Sequence, residues 1–82
     1  MSSDDYTPTH FNLTITHNGK AKRTTIMLEQ FFIDALRNKH GLSDNRAIRQ
    51  WLESAIATDD KFDPNVSLTK QVVRMIIESL IQ

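Results

Sequence analysis

Lys22-Arg23-Thr24-Thr25-Ile26-Met27-Leu28-Glu29 decides the fold, because it reads as a strand that runs with almost no linker into a helix. From Thr24 to Leu28 the residues are β-branched or apolar and alternate in polarity. From Glu29 onward the apolar spacing changes from a period of two to a helical period. The preceding stretch, Phe11-Asn12-Leu13-Thr14-Ile15-Thr16-His17, alternates in the same way and is followed by Asn18-Gly19. Asn-Gly between two alternating runs is a strong hairpin signal, since both residues tolerate the positive φ of a type I′ turn. That turn opposes His17 to Lys20, Ile15 to Lys22, Leu13 to Thr24 and Phe11 to Ile26. One face then collects Phe11, Leu13, Ile15, Thr24 and Ile26, and the other Asn12, Thr14, Arg23, Thr25 and Met27.

Outward from this hairpin, Met1 to Thr9 is polar, carries Pro8 and reads as a mobile tail, which leaves residues 10–82 as a single domain. A first helix is expected over Gln30 to Lys39, with Phe32, Ala35 and Leu36 on one stripe, Phe31 beside them and Gly41 as a left-handed cap. Ser43 is a suitable N-cap for a second helix from about Asp44 to Ala57, whose doublets Ala47/Ile48, Trp51/Leu52 and Ala55/Ile56 recur every four residues. Residues 58–65 form a turn-rich connection. Ser67 then opens a third helix, about 67–82, striped by Val72, Val73, Ile76, Ile77 and Leu80. The expected class is mainly α with a short β-hairpin.

Composition narrows what such a domain does. An 82-residue chain buries only ~60% of its unfolded surface. Ile26, Leu28, Phe32, Leu36, Ile48, Trp51 and Leu52 therefore suggest an obligate homodimer. There is no cysteine, hence no disulfide framework and no thiolate metal site. His10 and His17 fall on opposite faces of one strand and His40 lies by a helix end, so no metal or other cofactor is expected. Two glycines exclude a glycine-rich phosphate loop, and no nucleophile has a base beside it, which argues against an enzyme. No apolar run reaches membrane-spanning length and the N-terminus lacks signal-peptide character, so the expectation is a cytoplasmic protein without a membrane partner. Formal net charge is zero, yet Tyr6 to Leu28 holds Lys20, Lys22 and Arg23 with no acid, while the acids lie at the N-terminal tip and from Glu29 onward.

With these elements in place, the chain resembles the ribbon-helix-helix (MetJ/Arc-type) DNA-binding family. Arg23 to Glu29 followed by Asp34-Ala35-Leu36 carries the match over residues 22–56. A bacterial branch with an added strand and a third helix is closer still, through Leu13 to Gly19 and Ser67-Leu68-Thr69. The resemblance implies an intertwined dimer whose paired ribbons enter the major groove of double-stranded DNA, as in a transcriptional repressor. Carried over by position, Arg23, Thr25 and Met27 would read base edges, Met27 by apolar contact with a thymine methyl. Lys20 and Lys22 would neighbour phosphates, and the amides near Ser43, Asp44 and Asn45 would grip one. Arg46 and Arg49 read first as solvated charges with a smaller claim on phosphate. The alternative is a protein-interaction module on the same fold, antitoxin-like or an accessory subunit, in which DNA binding is lost.

Overall fold

A computed structural model describes residues 6–17 and 19–81, without the side chain of His17. Two antiparallel strands, β1 (Pro8–His17) and β2 (Lys20–Glu29), precede three helices, α1 (Gln30–His40), α2 (Asn45–Thr58) and α3 (Leu68–Leu80). The hairpin register is the expected one, with Phe11 opposite Ile26, Leu13 opposite Thr24 and His17 opposite Lys20. Gly19 takes φ 77°, a conformation that costs a residue without Cβ little. Asn18, the other expected turn residue, lies outside the described residues. β1 is longer than the sequence suggests, starting at Pro8 instead of Phe11. The ladder continues one pair further, from the Gln30 amide to the Thr7 carbonyl (3.1 Å), and Tyr6 packs edge-on against Phe31. The polar composition of residues 6–9 was a poor guide because backbone pairing and one aromatic contact hold them.

The inner face of the hairpin seats Phe11, Leu13, Ile26 and Leu28 on all three helices. Ile33 and Leu36 of α1, Ile48, Leu52 and Ile56 of α2, and Val72, Met75 and Ile76 of α3 complete a single core. The α2 doublets behave as read, with Ile48, Leu52 and Ile56 buried and Ala47, Trp51 and Ala55 half-buried. On α1 Ile33, which the expected stripe omitted, is buried together with Leu36, while Phe31 is exposed. On α3 the stripe divides. Val72 and Ile76 are buried and Val73 and Leu80 half-buried, but Ile77 is 46% exposed and Ile81, at the C-cap, 79%. Five of the seven residues expected to need a partner subunit, Ile26, Leu28, Leu36, Ile48 and Leu52, are covered within one chain. Unmet packing demand is therefore no argument for a dimer.

Helix ends follow local chemistry. Gly41 closes α1 at φ 66° as expected, and Arg37 ties down the turn through the Leu42 and Ser43 carbonyls (3.4 and 3.1 Å). The N-cap of α2 is Asp44 instead of Ser43, its carboxylate accepting from the Ala47 amide at 2.9 Å. Ser67 occupies the N-cap of α3 but makes no side-chain cap bond. The connection between α2 and α3 is fixed from the helix side. Gln71, the one buried polar residue among those described, accepts from the Asp63 amide and donates to the Asp63 and Val66 carbonyls (2.9, 2.7 and 3.1 Å). Arg74 adds an ion pair to Asp59 (2.6 Å) and another to Glu78 (3.0 Å). No helix among the described residues is long and apolar enough to cross a membrane.

Candidate nucleic-acid interface

Alternation along β1 and β2 leaves the outer face of the sheet with five opposed pairs: Pro8 with Glu29 at the helix end, then His10 with Met27, Asn12 with Thr25, Thr14 with Arg23, and Thr16 with Ala21. The last eight residues are exposed and none of them is acidic, and the half-buried Glu29 is the one acid of the face. Arg23, Thr25 and Met27 thus share one face in sequence register. Thr25 is engaged within it, its hydroxyl donating to the Asn12 side-chain carbonyl at 2.7 Å. Arg23 and the half-exposed Met27 are the two long, exposed side chains of β2 on this face, Glu29 being half-buried. Lys20 and Lys22 do not join them. As even-numbered residues they belong with Thr24 and Ile26 on the opposite face, where they line a groove beside Phe62 and Val66.

The expected phosphate grip at the start of α2 is altered by its own sequence. Asp44 fills the N-terminus of the helix with a carboxylate, so one first-turn amide is satisfied and negative charge stands where an anion would bind. Asn45 lies instead beside Arg46 and Arg49 in an open cleft whose other wall is His10, Phe11 and Asn12 of β1. Both arginines are exposed. Their spacing of three residues puts them on one side of α2, and the packing of α2 along β1 brings that side to the sheet. Sequence alone gave no means of seeing this, because it depends on which strand α2 covers.

The two edges of the hairpin have different fates. The Thr14 amide donates to the Glu53 carboxylate of α2 at 2.6 Å, and the Gln30 amide donates to Thr7. Together these fix which pairs face each other through hydrogen bonds: odd residues of β1 bond to even residues of β2. The backbone amides and carbonyls of Ala21, Arg23, Thr25 and Met27 therefore point away from β1. Among the described residues no helix or loop group bonds to them. Glu53, which supplies the edge contact on β1, is not singled out by any pattern in the sequence.

Among the described residues no three or more His, Cys, Asp or Glu side chains are grouped to hold a metal ion. The arrangement offers a hydrogen-bonding sheet face whose one acid, Glu29, stands at the helix end, flanked by a two-arginine cleft, with an open strand edge. No family model, curated protein or solved structure matches this chain.

Proposed function

We propose that the chain binds double-stranded DNA through the outer face of its β-ribbon, as a homodimer acting as a transcriptional repressor. The observation that carries this reading is the charge layout of an otherwise neutral molecule. From His10 to Thr16 and from Ala21 to Met27 the sheet face has Arg23 and hydrogen-bonding side chains without an acid, Glu29 standing at the helix end, and Arg46 and Arg49 continue it past the β1 edge. Two copies joined along their β2 edges would place both Arg23 and both Met27 side chains on the central strands. The sheet would then be four strands wide, about 19 Å at ~4.8 Å per strand, against a major groove of ~12 Å. It would lie over the groove mouth, with only the long central side chains reaching the base edges. The short Asn12 and Thr14 side chains of the outer strands would face the phosphate walls, with Arg46 and Arg49 beyond them. Thr25, tied to Asn12, would serve the face more by fixing it than by reading a base.

The test is binding of wild type and Arg23→Ala to the duplex upstream of its own gene and to a random duplex, across a salt series. Arg23 is the only guanidinium on the sheet face, and a bidentate contact to guanine is worth ~1–3 kcal/mol, made twice per dimer. Arg23→Ala should lower specific affinity by roughly one to four orders of magnitude. Lys20→Ala, on the other face, should cause a small loss shared by both duplexes and reduce the salt slope by at most about one. Equal, weak binding of all three proteins to both duplexes would overturn the reading. One observation favours a second function, protein interaction: the open β2 edge beside Met27, 50% exposed, is equally able to accept a strand from a different protein.

A further inference from the structure

Lys20 and Lys22 are left over from the DNA-facing surface, and the place they occupy has its own chemistry. The turn end of the hairpin overhangs the α2–α3 connection and encloses a groove of about 260 Å³. Its floor and walls are Ile15, Phe62, Pro64, Val66 and Leu68, with Thr24 between them. The two lysines complete the lining, and no acid takes part in it. Asp63, next in sequence to Pro64, directs one carboxylate oxygen to the Asn65 amide at 2.9 Å. Neither lysine has an ion-pair partner among the described residues. The groove wall is held in place by Gln71, whose three hydrogen bonds fix residues 63 and 66. It is thus formed before any ligand arrives.

We infer that this groove binds a small amphipathic anion, an apolar body carrying one carboxylate, with the chain on Ile15, Phe62 and Leu68 and the carboxylate between Lys20 and Lys22. The volume lies just below the ~300–1,000 Å³ of sites for drug-sized ligands, which selects a medium-length chain or a single ring system. Apolar lining supplies affinity and the ammonium pair supplies the sign of the charge. Lys20 and Lys22 are two of the three cations of the hairpin, so occupation should also lower affinity for a duplex. That consequence rests on the DNA-binding reading, whereas the site does not.

The experiment is an amide chemical-shift titration of the whole chain with decanoate below its micellar concentration, with decylammonium as the control. Decanoate should shift Ile15, Lys22, Thr24, Phe62, Val66 and Leu68, and decylammonium should bind about ten-fold more weakly, as two surface charges imply. Lys20→Gln with Lys22→Gln should remove the preference for the anion. Val66→Asp, at an exposed position, should abolish binding with the fold intact. Equal affinity for both amphiphiles, or shifts centred on Ile77 and Ile81, would overturn the proposal. Response to an acidic leucine-bearing peptide but not to decanoate would overturn it in favour of a protein partner. Because this titration contains no DNA, a ligand-free protein that ignores every duplex would sink the repressor reading and leave the site standing.

Discussion

The two edges of one hairpin are chemically alike and structurally opposite. β1 and β2 are each ten residues long, rich in β-branched residues and buried on the same face. α2 runs along β1 and closes its edge at Thr14 through Glu53, whereas the outward groups of Ala21, Arg23, Thr25 and Met27 on β2 meet no other element among the described residues. A ten-residue open edge is a template for another strand, and proteins that do not use one usually cover or charge it. Arg23 is the only cation on the outer face of that strand, with Glu29 at its helix end. The difference teaches that, among the described residues, the edge left open to a further strand is that of the strand carrying Arg23.

The largest effect expected from this asymmetry is on oligomeric state. Thr25→Pro removes an outward amide and leaves the β1–β2 bonds in place, since proline is tolerated on an edge strand whose N–H faces away. Sedimentation should show a dimer for wild type at micromolar concentration and a folded monomer for the variant. A variant that remains dimeric would remove β2 from the interface. Next in size is hydrogen exchange. In the monomeric variant the Thr14 amide, bonded to a carboxylate, should exchange about 10- to 150-fold more slowly than those of Arg23 and Met27. Equal rates would show that the Glu53 contact is not populated in solution. Glu53→Ala should then cost about 1 kcal/mol, at the low end for a charge-assisted bond because the site is exposed. Chemical denaturation measures it, and no change would make α2 a passive neighbour of β1.

Two further substitutions probe the flanks. Asp44→Asn keeps a capping side chain and removes its charge, so stability should change little while duplex affinity rises by about two- to five-fold, as expected of one charge at a helix N-terminus. Unchanged affinity at low salt would place DNA away from α2. The smallest effect is far from both edges. The Asp59 carboxyl lies below the usual carboxylate range, chiefly through the Arg74 hydrogen bond, with burial opposing it and the Lys61 amide assisting. Since its folded pKa is depressed, the stabilisation is full above the unfolded value near ~4 and is lost as pH falls through the folded one. Asp59→Asn should flatten that acid limb of the stability curve. A limb of unchanged slope would assign the dependence to other carboxylates.

How much of this was legible depended on the range of the physics involved. Hairpin register, helix order and the Gly41 cap come from interactions a few residues apart, and alternation plus Asn-Gly was enough to place Leu13 inward and Arg23 outward. The cap at Asp44 was missed by one position because Ser, Asp and Asn stand consecutively and all cap well. Ile33 was missed because α1 is wedged between β2 and α3 and buries a wider arc than one stripe. Long-range partners were not legible at all. Glu53 on the β1 edge, Gln71 under the loop, and Arg46 with Arg49 beside His10 depend on how elements pack, and no spacing along the chain encodes that.

Glu29 is at once the last residue of β2 and the N-cap of α1, with no residue between the two elements. Strand and helix therefore share one phase. Adding a residue there would either turn α1 by ~100°, carrying Ile33 and Leu36 out of the core, or invert which side of β2 holds Arg23. Neither error can be absorbed locally. A length change between α2 and α3 would leave the strand–helix phase untouched and fall instead on the connection that lines the amphipathic groove, where Gln71 ties down residues 63 and 66. The same domain could thus be retuned toward different small anions by lengthening that connection, while the sheet face and the strand edge stay fixed in relation to each other.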